Sequence, residues 1–326
     1  MINITVLDGY TLNPGDLSWE GLNQLGKTKI YDRTSADLTI QRSLDADILI
    51  VNKHIIDEEV LDQLPNLKFI CVSATGYNNI DIKATKKRNI PVCNVSGYGS
   101  PSVAQHVFAL LLELMNHVGA YNKSAKSGEW SNAQDFMYYL DPILGLAGKT
   151  MGIYGFGKIG QKVAKIALAF DMKVIVTHKH PKRDAKDGVQ FVPFERLFKE
   201  SDIITLHAPL TSDNEQIVNK KSLKTMKSSA FLINTGRGGL INEIDLKYAL
   251  ENKWLSGAGL DVLQKEPPPM DHPLFTLENC IITPHMAWAN LDSRSNLLNL
   301  TVKNVQAFLE GNLINVVNDV KKPPSI

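Results

Sequence analysis

The chain has 326 residues, 44% of them hydrophobic and 21% charged, with a formal net charge of +1. That length supports two domains with full cores, and the near-neutral balance excludes a broad electrostatic footprint for nucleic acid or an anionic membrane. The longest apolar run, Val107 to Leu112, stops at Glu113 and is far too short to span a bilayer.

In chain order, residues 2–7 read as a strand rather than as a basic region followed by an apolar run, so no signal peptide is expected. Further strands are predicted at 28–31, 48–51, 69–72 and 92–94, with helices at 57–64 and 81–88 between them. A long apolar helix is predicted over 103–121. Strands resume at 150–154, 173–177, 203–207, 230–234, 257–261 and 280–282, with helices at 242–250 and 293–309. The tail 321–326 reads as a surface terminus. Alternation of this kind argues for parallel sheets wound with helices on both faces. Cys71, Cys93 and Cys280 lack metal-ligand spacing, and no metal site is expected. Their odd, sparse number fits reduced core thiols and a cytoplasmic location.

Gly155-Phe156-Gly157-Lys158-Ile159-Gly160 stands between a predicted strand and an amphipathic run. A lone GxGxxG is a weak signal, but this context is that of a dinucleotide-binding turn. Gly155 would allow the tight turn, Gly157 the approach of a pyrophosphate, and Gly160 the packing of helix on strand. A nucleotide-binding fold begins just ahead of that loop, so roughly the first third of the chain belongs to another domain. We therefore expect a discontinuous substrate domain, 1–98 and 291–326, and an inserted dinucleotide-binding domain, 99–290. Helices 103–121 and 293–309 would join them, and a cleft between them would take the substrate.

An acidic residue is expected at the end of the second nucleotide-domain strand when the ribose hydroxyls of NAD are gripped. Here the chain reads Thr177-His178-Lys179-His180-Pro181-Lys182-Arg183, and Asp184 lies too far along to serve. The neutral-to-basic cluster suits a 2′-phosphate. NADP, as NADPH, is favoured over NAD, with Lys179 and His178 or His180 as contacts. The alternative is a solvated basic loop that accepts either cofactor.

Three polar residues carry the chemistry. Arg237, in Asn234-Thr235-Gly236-Arg237-Gly238-Gly239, follows a predicted strand, where ligands bind in parallel sheets. A guanidinium fixes a carboxylate in bidentate fashion. His285, in Thr283-Pro284-His285, follows another strand, and an imidazole trades protons near neutral pH. Glu266, ahead of Pro267-Pro268-Pro269, could hold that imidazole in one tautomer. Such a set describes hydride transfer to a 2-keto acid or from a 2-hydroxy acid.

With these motifs in order, the chain resembles the D-2-hydroxyacid dehydrogenases over essentially its whole length. Leu7 to Trp19 and His285-Met286-Ala287-Trp288-Ala289 look like the hydroxypyruvate reductase (glycerate dehydrogenase) branch. The resemblance implies an α/β fold of two doubly wound parallel-sheet domains, a Rossmann cofactor domain inserted into a flavodoxin-like substrate domain. It implies that Arg237 binds the substrate carboxylate, that His285 supplies the proton and that Glu266 holds His285. It puts Asp261 near the nicotinamide and makes His207-Ala208-Pro209, Thr235 and Gly236 part of the cofactor site. Ser73 to Asn78 matches the family's substrate-carboxylate loop, with Gly76 best placed beside Thr75 and Tyr77, while Lys53 would either line the cleft or stand as a surface lysine. It also implies a homodimer, with 128–140 reaching toward the partner. Trp130, Phe136, Met137, Tyr138 and Tyr139 would either anchor that interface or pack within the subunit.

The rival from another class is a dinucleotide-sensing, corepressor-like binding protein, against which the short tail argues. Among enzymes, D-lactate and 3-phosphoglycerate dehydrogenases stay open. Formate dehydrogenase does not suit, because pure hydride abstraction has no use for Glu266.

Overall fold

A computed structural model describes residues 1–322, so most of the predicted surface tail lies outside the described residues. The chain divides into two compact units. One is formed by Met1–Gly99 with the described residues from Ala289 on, the other by Ser100–Trp288.

The first unit carries strands β1 (Asn3–Val6), β2 (Lys27–Ile30), β3 (Ile48–Val51), β4 (Phe69–Val72) and β5 (Val92–Asn94). Their spatial order is β2-β1-β3-β4-β5, and every pairing is parallel. This is the flavodoxin-like order, which reverses between β1 and β3. The central strands β3 and β4, Ile-Leu-Ile-Val and Phe-Ile-Cys-Val, are buried at every position, as a sheet covered on both faces requires. Edge strand β2, Lys-Thr-Lys-Ile, alternates exposed and half-buried residues, and its lysines discourage edge-to-edge pairing. The Leu291–Leu309 helix returns to this sheet. Phe308 stacks on Phe69 of β4, with ring centroids 4.4 Å apart.

The second unit carries β6 (Thr150–Tyr154), β7 (Lys173–Thr177), β8 (Val189–Phe191), β9 (Ile203–Leu206), β10 (Phe231–Asn234), β11 (Gly257–Leu260) and β12 (Cys280–Ile282). The order is β12-β11-β10-β9-β6-β7-β8, again parallel throughout. This is a Rossmann arrangement whose switch point lies between β6 and β9. One core cluster packs Val107, Leu111 and Met115 of the Ser100–Asn116 helix against Met151, Ile153 and Val163. A second cluster, with Leu232, Leu246 and Leu260, fills the opposite side.

The single helix predicted over 103–121 is two. Ser100–Asn116 ends, His117 adopts a left-handed φ of 52°, and a new helix runs Val118–Lys126. Glu113 explains the break, because its carboxylate accepts the Gly119 N–H of the second helix at 3.1 Å. Apolar periodicity carries no trace of such a side-chain cap. Among the described residues no helix is long and apolar enough to cross a membrane.

The Phe69–Phe308 stack ties the terminal helix to the first sheet. Phe308→Ala is expected to cost about 3–5 kcal/mol, read from the urea midpoint of the unfolding transition that reports the first unit.

Candidate active site

The glycine loop leaves β6 at the switch point. Gly155 has φ +94°, and a Cβ there would lie 2.5 Å from Ala208 N in the loop after β9. At Gly160 a Cβ would meet Gly155 O at 2.3 Å. Both positions therefore demand glycine, one for backbone conformation and close approach, the other for seating the Lys158–Ala169 helix on the turn. Around Gly157 no heavy atom stands within 4 Å of an added Cβ, so there is room in front of the helix N-terminus. Gly157 caps that 12-residue helix, whose first-turn N–H groups suit a pyrophosphate. Lys158 is exposed and Ile159 half-buried. Phe156, expected among the cofactor-binding residues, turns its side chain into the core. Its ring is fully buried and meets Phe191 edge-on, so only its backbone borders the loop.

At the end of β7 the structure differs from the sequence reading. His178 Nδ1 accepts the Phe156 N–H at 3.2 Å, and Nε2 lies 2.8 Å from Asp184. Both ring nitrogens are thus engaged, and His178 buttresses the glycine loop instead of standing ready for a phosphate. Nor is Asp184 too far along, because the chain turns back and brings it to the strand end. Arg183, and then His178, hold its carboxyl down at about 2. Lys179 and His180 are exposed.

After β9 and β10 two buried polar atoms have no partner, His207 Nδ1 and Thr235 Oγ1. His207 Nε2 is 2.8 Å from Thr205 Oγ1, and burial holds the imidazole down at about 3. Unpaired donors and acceptors at the carboxyl ends of strands flanking a switch point are what a bound dinucleotide would satisfy. With the open space at Gly157, the residues present fit such a cofactor. Ala208, Pro209 and Gly236 lie in the same loops.

Arg237, Glu266 and His285 follow β10, β11 and β12, three adjacent strands. Asn234, fully buried, shapes the first loop: its Oδ1 accepts the Gly236 N–H at 3.0 Å and its Nδ2 donates to Arg237 O at 2.9 Å. Arg237 is half-buried, and its Nη1 donates to Gly236 O. The His285 imidazole pairs with Glu266, Nδ1 to Oε2 at 2.6 Å, in the range of a charge-assisted bond. Glu266 Oε1 also accepts the Leu263 N–H at 3.0 Å. Ring geometry then turns Nε2 of His285 away from Glu266.

His285 itself sits at φ 53° in a tight turn. Asp261, 1% exposed, holds that turn. Its Oδ1 accepts from Thr283 Oγ1 (2.6 Å) and Met286 N (2.9 Å), and its Oδ2 from Ala287 N (2.8 Å). Burial alone would raise the Asp261 carboxyl, but His106, Thr283 and the Ala287 and Met286 amides outweigh it and lower it. The resemblance puts Asp261 beside the nicotinamide; the structure commits both its oxygens to the His285 turn.

Comparison with known proteins gives the family of the chain. Residues 108–287 match the model of the D-isomer specific 2-hydroxyacid dehydrogenase NAD binding domain. A hydroxypyruvate reductase of Blautia hydrogenotrophica is 44% identical, over 97% of this chain and 100% of its own. A glycerate dehydrogenase of Methylorubrum extorquens is 39% identical, over 89% and 91%. An acyclic imino acid reductase solved with NADPH and D-Arg superposes with a TM-score of 0.84 at 33% identity, over 97% and 100%. The chain belongs to the D-isomer specific 2-hydroxyacid dehydrogenase family. It is an oxidoreductase with an NAD-binding domain.

In this 2-hydroxyacid dehydrogenase the first unit has its own braced loops at the carboxyl ends of β1, β3 and β4. Asp8, which sequence reasoning missed, accepts three successive backbone N–H groups, Asn52 (2.8 Å), Lys53 (2.6 Å) and His54 (2.9 Å). Lys53 is thereby fixed in the loop after β3. Asn94 Nδ2 donates to Thr75 O, and Thr75 Oγ1 to Val95 O, so the Gly76 loop is braced and the Thr75 hydroxyl is committed. Tyr77 is 37% exposed. An acid directly after a first strand is the signal that marks Asp8.

Two measurements follow. Thr235→Val removes an unpaired buried hydroxyl, so the cofactor-free protein should gain about 1–3 kcal/mol of stability while dinucleotide affinity falls, read by thermal melts and fluorescence titration. For His207, the unfolded chain takes up a proton as pH drops below 6.5, whereas the folded chain does so only near 3. The sign is then fixed: its contribution is full above that upper value and lost as pH falls across the window. Melts from pH 7 to 4 should show a shallower loss for His207→Gln.

Proposed function

We propose that this dehydrogenase reduces a small 2-keto acid, hydroxypyruvate or glyoxylate, to the D-2-hydroxy acid, and runs the reverse oxidation. The observation that carries the reading is the 2.6 Å Glu266–His285 pair on a loop beside that of Arg237. A reduced nicotinamide dinucleotide, when bound, supplies the hydride. Arg237 binds the substrate carboxylate and polarises the keto group. His285 in its protonated form keeps Nδ1–H on Glu266 and gives its Nε2 proton to the keto oxygen; in oxidation the neutral ring takes it back. Glu266 stabilises the imidazolium and fixes the ring. In the first unit, the Gly76 backbone, with Thr75, Tyr77 and Lys53, would contribute substrate contacts. The hydroxypyruvate reductase and glycerate dehydrogenase relatives support this substrate class above D-lactate or 3-phosphoglycerate, and an enzyme above a corepressor-like binding protein.

For the cofactor we favour NADPH over NADH. The Gly155–Gly160 loop and the 207–209 and 235–236 loops would hold it, with Lys179 at the 2′-phosphate. Asp184, the carboxylate that would repel that phosphate, is already engaged by Arg183 and His178. The NADPH-bound imino acid reductase supports the choice.

We also favour a homodimer and a cytoplasmic location. Trp130, Phe136 and Tyr139 are 57%, 85% and 72% exposed, whereas Tyr138 packs inward, with its hydroxyl on Ser124. The former three, with Met137, suit an interface between two copies.

With hydroxypyruvate, glyoxylate, pyruvate and phosphohydroxypyruvate side by side, the first two should give the highest kcat/KM. His285→Ala should lower kcat by about 100- to 10,000-fold with dinucleotide affinity close to wild type. Arg237→Ala should raise KM and lower kcat together. The kcat/KM with NADPH should exceed that with NADH, and Lys179→Ala should lower only the former.

A further inference from the structure

The Ser100–Asn116 helix touches the His285 turn at two points one helical turn apart. Ser102 Oγ donates to Ala287 O at 2.6 Å. Four residues on, His106 Nε2 lies 2.9 Å from Thr283 Oγ1 and 3.4 Å from Asp261 Oδ1. Residues i and i+4 share a helix face, so the two contacts form one clamp. Proton placement follows by elimination. The 2.6 Å contact between Thr283 Oγ1 and Asp261 Oδ1 takes the single hydroxyl hydrogen, because an ionised carboxylate only accepts. Thr283 is then an acceptor toward His106, and His106 must carry its proton on Nε2.

We propose that His106 is a positioning residue for the proton-transfer histidine. It feeds a relay, His106 to Thr283 to Asp261, that holds the 283–287 turn and with it the direction in which His285 presents Nε2. The turn needs this support because His285 adopts φ 53°, a region uncommon for residues other than glycine. Without a donor at position 106, the Thr283 hydroxyl and the buried Asp261 carboxylate lose a partner. The turn relaxes, and His285 no longer meets Glu266 and substrate together. His106 touches neither substrate nor cofactor in this account. The inference rests on the proton-transfer role of His285 proposed above.

The test compares His106→Leu with His106→Gln, whose Nε2 can stand in as donor. A displacement of ~1 Å at a reacting centre can lower turnover by about 100-fold. For His106→Leu we expect kcat to fall at least ~10-fold while KM and dinucleotide affinity stay within ~2-fold, with His106→Gln restoring most of the loss. A second readout needs no turnover: the downfield proton resonance of the His285 Nδ1–H, assigned by its absence in His285→Ala. It should shift or broaden in His106→Leu and persist in His106→Gln. Thr283→Val breaks the same relay with little change in volume, and carries the test if His106→Leu folds poorly. The double variant should be no worse than the poorer single one. Wild-type kcat and an unmoved resonance in His106→Leu, equal losses in the Leu and Gln variants, or strict additivity with Thr283→Val would each overturn the proposal. If the wild-type protein reduces none of the keto acids, the functional reading fails, yet the resonance still decides the role of His106.

Discussion

A carboxylate removed from water must be surrounded by donors, and Asp261 meets that condition with one hydroxyl and two backbone amides. The rest of the site depends on this arrangement. Its backbone also takes part, since the Asp261 carbonyl accepts the His285 N–H at 2.8 Å. One residue at the end of β11 thus dictates the path of the chain after β12. The positive φ of His285 is a strain of order 1 kcal/mol or more that the surrounding bonds sustain. Glu266 then needs only to meet a ring whose origin is already fixed. It is itself steadied by the Leu263 amide, and the neighbouring Gln264 amide is held by Glu243.

The dinucleotide side follows a different logic. There the fold supplies space and backbone. Gly155 and Gly160 bring turn, helix and neighbouring loop into contact at distances no side chain tolerates. Gly157 leaves the helix N-terminus open. His207 Nδ1 and Thr235 Oγ1 are buried there without a partner, which costs free energy. A ligand that paired these atoms would link its binding to folding stability through the two loops.

Much of this was legible in the sequence. Uniformly apolar segments such as Ile48–Val51 and Phe69–Val72 announce strands buried on both faces, and glycine in context announces the tight turn ahead of the Lys158–Ala169 helix. Arg237, Glu266 and His285 could be read because each stands in a motif at a strand end. What stayed hidden are groups that act through tertiary bonds. Glu113 ends a helix whose apolar spacing runs straight on. Asp184 returns to the end of β7 through a turn that linear distance conceals. His106 lies in an apolar helix, and nothing local distinguishes it from a core histidine. The donors that face the Asp261 carboxylate come from residues 283–287, and nothing beside position 261 in the sequence announces them.

The three amides gathered by Asp8 have a consequence for how such a scaffold diversifies. The bonds reach the main chain of residues 52–54 and leave the identity of the side chains there unspecified. An exchange at position 53 would thus keep these main-chain bonds while changing the charge and size that the loop carries. The loop's path is anchored by one acid, and the side chain it carries at that position is left to vary over it.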